Sequence, residues 1–213
     1  MAASTTMSMS ILGVLQEREQ VMSTTFPAVQ SATVERVGWR ERRRQRRRLA
    51  AQDGLSAQIA ELVQIRELVA ATRDVVAMGW VQDAWYVCPD AHGRYRCVGV
   101  LPKRDLGGGP VARACLVGAV LQAAGGVTTI DAQRVQRTFD LLWHTLYRSE
   151  REPVRWCPAP PIRAQQLRDL VQWNDRPGRT GADVEALLCS AAHRADGEVA
   201  RNRHQLGALA ESS

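Results

Sequence analysis

Between Glu35 and Arg48, eight of fourteen positions are arginine: Arg36, Arg40, Arg42, Arg43, Arg44, Arg46, Arg47 and Arg48. Only Glu35 and Glu41 oppose them, so this window carries +6, the formal net charge of the whole 213-residue chain. Arg40–Arg48 contains no apolar residue, and a helix without an apolar stripe has no face to bury on a core. Strong helix formers and the absence of proline from Val34 to Gln52 predict a helix with positions 36, 40, 43/44 and 47/48 on one face. Residues 1–33, rich in Ser, Thr and Ala, read as weakly ordered. Asp53-Gly54 reads as a break. The expected organisation is an Arg-rich arm over 1–54, mobile or helical, a helical globular domain over 55–197, and a polar tail over 198–213.

From Leu55 the pattern changes. Ser56 is a candidate N-cap, and Ile59, Leu62, Val63, Val69 and Val76 take helical spacing up to Met78, with Gly79 as the stop. Ala84–Cys88 and Arg94–Val100 flank a turn at Pro89–Gly93, which predicts a β-hairpin. Pro110 suits the first turn of a helix running to Ala124, ended by Gly125-Gly126. Asp131 is the expected cap of a helix to Arg148, with Val135, Phe139, Leu142 and Leu146 inward. The proline-rich stretch Arg151–Pro161 reads as irregular. Helices are expected at Ile162–Trp173 and Thr180–Ala195, separated by a turn at Asn174–Arg179, with Thr180 and Asp183 forming a capping box. The expected fold class is mainly α (α+β): a compact bundle of about five helices with one small β-hairpin, preceded by the Arg-rich extension.

Several function classes lose support on composition. The five cysteines form no closely spaced pair, so a structural zinc site is not expected, and no motif calls for a cofactor. An odd cysteine count without a secretory signal suggests a cytoplasmic protein with free thiols. The longest apolar stretch, Ala114–Ala124, is half a membrane span, so no membrane association is expected. Lys103 is the one lysine among 28 basic residues, and this bias, with abundant alanine, suggests a high-GC genome. Codon usage accounts for scattered arginines but not for their clustering.

Leu55, Leu62, Val69 and Val76 recur every seven residues directly after the arginines, the layout of a basic region followed by a zipper. Arg66 and Arg73 at the companion seam positions disfavour that reading, and an intramolecular amphipathic helix explains the spacing. The arginine forks themselves match phosphate geometry. They point to nucleic-acid backbone, DNA or RNA, read without strong sequence preference by a non-enzymatic accessory or regulatory protein. One alternative is a protein–protein adaptor whose basic arm meets an acidic protein partner. A second is a Cys-dependent enzyme using the Cys115/His144/Asp175 region. Against it, Cys115 is expected in the second turn of its helix, past the terminal amides that lower a thiol pKa, and buried among small residues. No catalytic residue is therefore assigned. Cys115, Trp173, Asn174, Asp175 and Arg179 remain candidate site residues of unknown role. The bland reading of their corner is a rigid turn, with Asn174 ending one helix and Trp173 wedged into the core.

Four segments appear in a recognisable order: Gly79-Trp80-Val81-Gln82-Asp83-Ala84-Trp85, Cys115-Leu116-Val117-Gly118-Ala119, Trp173-Asn174-Asp175 and Pro177-Gly178-Arg179-Thr180. Together they resemble the DUF6197-like domain family of high-GC bacteria and phages, over roughly residues 56–195. The resemblance implies a helix-rich fold and no assigned reaction, with the motif residues marking where a site would lie. The arginine extension falls outside the shared domain.

Overall fold

The longest element, α1, spans Trp39–Met78 without interruption, about 60 Å at 1.5 Å per residue. In the computed structural model, which describes residues 38–90, 92–98, 111–156 and 159–211, it pairs along much of its length with α5 (Gly181–Glu211). Arg73 meets Glu185 at 3.3 Å, Arg66 meets Asp196 at 3.2 Å, and the Asn202 amide reaches Gln58 at 3.5 Å. The two helices are thus antiparallel, and the last residue of α5 falls opposite about residue 49 of α1. Leu62, Val69 and Val76 are buried and Leu55 is half-buried, so the seven-residue recurrence is an intramolecular seam. Arg66 and Arg73, awkward in a zipper, flank the seam and pair with α5 carboxylates.

Two expected boundaries are corrected here. Asp53-Gly54 does not break α1, and Ser56 lies within the helix rather than at its cap. Gly54 is exposed and costs about 1 kcal/mol relative to alanine, too little to stop a helix continued by packing. The segment after Gly197 is also helical, to Glu211. Val199, Asn202, Leu206 and Leu209, spaced by three and four, give it a face that is buried or half-buried. That stripe was weak against a polar background.

The remaining elements surround α2 (Leu116–Ala123), an eight-residue helix whose first six residues are all buried. A helix apolar on every side belongs in the middle of a core. Packed on it are α1, α3 (Gln133–Tyr147) and α4 (Pro160–Asn174), with a short 3-10 turn at Val127–Thr129. A three-stranded antiparallel sheet closes one side in the order β2-β1-β3, with β1 at Tyr86–Pro89, β2 at Tyr95–Val98 and β3 at Arg113–Ala114. The hairpin and the five helices match the expected class. Strand β3 was not foreseen, and it displaces the start of α2 from the expected Pro110 to Leu116. Pro110 itself lies outside the described residues. Pairing of Arg113 with Val87 and of Ala114 with Tyr86 commits those residues to the sheet. Asp131 does not cap α3, whose N-cap is Ala132 without a side-chain bond. No described helix is long and apolar enough to cross a membrane.

Candidate functional site

Three of the four motif segments, far apart in sequence, converge on one side chain. Asn174 ends α4 and is fully buried. Its Oδ1 accepts the Trp80 indole N–H at 2.9 Å and the Leu116 amide at 3.0 Å. Its Nδ2 donates to the Val81 carbonyl at 3.2 Å and to Asp175 Oδ1 at 2.7 Å. The side-chain amide therefore joins α4, the strand-like segment after α1 and the first turn of α2. Asn174 could end its helix in the left-handed conformation that Asn tolerates, but Gly178 takes that conformation at this corner, at φ +82°. Asn174 keeps helical geometry, and Asp175 is the C-cap.

Around this hub the other motif residues add a second set of bonds. Asp175 Oδ1 also accepts the backbone N–H of Asp83 at 3.0 Å. Asp83 sits at φ +56°, a conformation Asp tolerates better than most residues, and this bond holds it there. Gln82 Nε2 donates to the carbonyls of Asn174 and Arg176, at 3.1 and 2.9 Å. Trp80 and Gln82 were not among the expected site residues. The signal was their position in the 79–85 segment, where an indole and an amide are groups that need partners once buried. Gly118 is required by close approach, since a Cβ there would lie 2.2 Å from the Trp85 carbonyl oxygen.

Trp173 is half-buried rather than wedged in the core; the fully buried residue at the corner is its neighbour Asn174. The Arg179 guanidinium lies 4.1 Å from the Trp173 ring centroid, and its Nε donates to the Trp173 carbonyl at 3.3 Å. Thr180 and Asp183 form the expected reciprocal capping box, with the Thr180 N–H on Asp183 Oδ2 at 2.8 Å and the Asp183 N–H on Thr180 Oγ1 at 3.2 Å.

Cys115 is the N-cap of α2, not a second-turn residue, and its Sγ accepts the Gly118 N–H at 3.3 Å. Burial nevertheless pushes its thiol up to about 11, outweighing the Gly118 and Val117 amides that lower it, and the Asp175 charge raises it further. The expected burial holds, for a different reason than helix position. His144 works elsewhere. Its Nε2 accepts the Arg155 N–H at 3.2 Å, while Arg194 donates to its carbonyl at 3.0 Å and to those of Ser149 and Glu152 at 3.1 and 2.7 Å. Burial, with the Arg194 and Arg148 charges, holds the His144 imidazole below its usual range. Cys115 and Asp175 thus meet at the corner, whereas the bonds of His144 tie the end of α3 to α5.

The arginines form a separate surface. Arg40, Arg42, Arg43, Arg44, Arg46, Arg47 and Arg48 all lie on α1 and are exposed; Arg36 lies outside the described residues. Arg43 lies over Trp39 at 5.4 Å, and Glu41 pairs with Arg44 at 3.8 Å. Among the described residues, no group of three or more His, Cys, Asp or Glu side chains could hold a metal ion.

No curated protein and no solved structure matches this chain. A family model does match, over residues 60–194, a span holding the Asn174 hub and every segment bound to it but not the exposed arginines. The chain therefore belongs to the family of unknown function DUF6197.

Proposed function

We propose that the protein is a non-enzymatic accessory or regulatory protein that grips nucleic-acid backbone, DNA or RNA, with the N-terminal turns of α1. The observation that carries this reading is the overhang of α1 beyond α5. It holds seven exposed arginines against one glutamate, net +6, on a helix with no core to serve. Such a segment opposes its own folding. Arg40/Arg44, Arg42/Arg46, Arg43/Arg47 and Arg44/Arg48 are like-charge i,i+4 pairs, each unfavourable by about 0.2–0.5 kcal/mol. Cations near a helix N-terminus also face the positive end of the dipole. A polyanion relieves both effects, and guanidinium forks match phosphate oxygens. Because backbone contacts carry no base information, little sequence preference follows.

The test is binding of full-length protein to a duplex and to a structured RNA as salt rises. With about five phosphate contacts, affinity falls roughly 500-fold between 50 and 200 mM salt. Replacing Arg42, Arg43, Arg44, Arg46, Arg47 and Arg48 by Gln removes most binding and flattens the slope, with the fold unchanged. No binding at 50 mM salt overturns the reading in favour of an adaptor whose arm meets an acidic protein. Binding that survives the six substitutions moves the contact surface onto the globular domain.

A further inference from the structure

Between the start of α4 and the face of α3 lies a half-open cleft of about 400 Å³. Phe139, Leu167 and Pro160 give it apolar walls, and Gln136, Arg163 and Gln166 supply polar groups. Arg163 is held across the cleft by buried Asp140, at 3.3 Å. The two glutamines are the unusual feature. Gln166 is 5% exposed, and its Oε1 is buried without a hydrogen-bond partner. Gln136 Oε1 is likewise buried without a partner, while its Nε2 donates to the Ile130 carbonyl and so fixes the amide's orientation. An unpaired buried acceptor is costly, and two of them, one on each helix that lines the cleft, mark a place where polar satisfaction is incomplete. The start of α4 is not the attractant. Pro160 and Pro161 have no N–H, and the Ile162 and Arg163 amides already bond to the Ala159 carbonyl.

We propose that this cleft is a binding site for a small flat molecule carrying a paired donor–acceptor edge, a primary carboxamide or an amino-N-heteroaromatic ring. Gln166 recognises that edge. Its carbonyl oxygen has no hydrogen-bond partner among the described residues, and the terminal torsion is soft. It therefore turns to offer both an N–H and a carbonyl oxygen to a complementary edge. The ring lies against Phe139 and Leu167. The cleft is separate from both the Asn174 hub and the arginine overhang, so this assignment stands independently of nucleic-acid binding.

Benzamide and acetophenone test it, being uncharged and nearly the same shape and differing in the N–H donors. Full-length protein labelled with nitrogen-15 is titrated with each while backbone and side-chain amide signals are followed. Benzamide gives saturable shifts confined to residues 130–139 and 160–167, including the Gln166 side-chain amide, with Kd of about 1 mM, as suits a fragment this small. Acetophenone binds at least about tenfold more weakly, the loss expected when an amide's donor is removed. Gln166→Leu removes the selectivity, and Ala164→Phe, which fills the cleft without touching the amide, removes binding. Equal shifts from both probes overturn recognition by the Gln166 amide. Shifts that fail to saturate by about 20 mM, far above the fragment range, or that map elsewhere, overturn the site.

Discussion

The corner at Asn174 and the cleft at Gln166 present the same functional group, a primary amide, in opposite states. Asn174 makes four hydrogen bonds, which join three segments of the chain. Gln166, almost as deeply buried, leaves its carbonyl oxygen with none. Inside a protein a satisfied amide rigidifies what it touches, while an unsatisfied one is a standing cost. The difference separates scaffold from opportunity. The segments at 79–85, 115–119 and 173–175 converge where the Asn174 amide is fully bonded, and the unpaired Gln136 and Gln166 oxygens lie outside them. Those three segments form the architecture that holds α2, α4 and the segment after α1 together.

The strongest way to break this comparison is Asn174→Ala. It strands the Trp80 indole N–H and the Leu116 amide in the core, each at about 1–3 kcal/mol, for a combined loss on the order of 4 kcal/mol. Chemical denaturation should show this as a lower midpoint with an unchanged slope. A loss below about 1 kcal/mol, the size of a single exposed bond, would mean the hub is ornamental. Asp175→Ala should cost less, about 1–2 kcal/mol, since it removes one acceptor that holds Asp83 in its left-handed conformation. An unchanged melt for this variant, with altered binding to any ligand, would turn the corner back into a functional site.

The fold was legible wherever local pattern and tertiary packing agree. The capping box at Thr180, the stop at Gly79, the hairpin turn and the inward face of α3 were all written in residue type and spacing. Legibility failed where a partner decided the outcome. Gly54 looks like a break, but α5 continues the helix past it, and the face of α5 beyond Val199 exists only because α1 covers it. Arg113 and Ala114 look helical, and strand β1 claims them. At the corner, the sequence pointed to Trp173 because it is large, yet the buried residue is the small polar neighbour whose partners lie up to 94 positions away. The cleft was invisible. Gln136 and Gln166 carry no motif, and only three-dimensional placement shows that their oxygens lack partners.

His144 stands between the two extremes, and pH titrates it. Its Nε2 is engaged with the Arg155 amide, while its Nδ1 is buried without a partner. Burial and the Arg194 and Arg148 charges keep it neutral in the folded state below the pH at which an unfolded His would charge, about 6.5. The unfolded chain therefore binds more protons in the window from about 6.5 down to the lowered folded value. Stability contributed by the neutral imidazole is present above that window and falls as pH drops through it. Thermal melts between pH 7.5 and 5 should show this loss, and His144→Asn should flatten it. Identical pH profiles for the two proteins would show that the imidazole takes no proton on unfolding and that Nδ1 has found a partner.

The smallest expected effect is the sharpest discriminator. Gln166→Leu replaces an amide with an unpaired oxygen by an apolar side chain of similar size, facing Phe139 and Leu167 across the cleft wall. Where both partners of a buried bond exist, truncation leaves one stranded; here there is no partner to strand. The substitution should leave stability within about 0.5 kcal/mol of wild type or raise it, because it removes an uncompensated desolvation. Asn174→Leu, the matching change at the corner, should be as damaging as Asn174→Ala, since the Trp80 and Leu116 donors lose the same acceptor. The two leucine variants thus impose one chemical change on two buried amides and ask only whether each was satisfied. A loss of about 2 kcal/mol or more at Gln166 would mean that its amide is engaged in the folded protein, and would erase the distinction between the corner and the cleft.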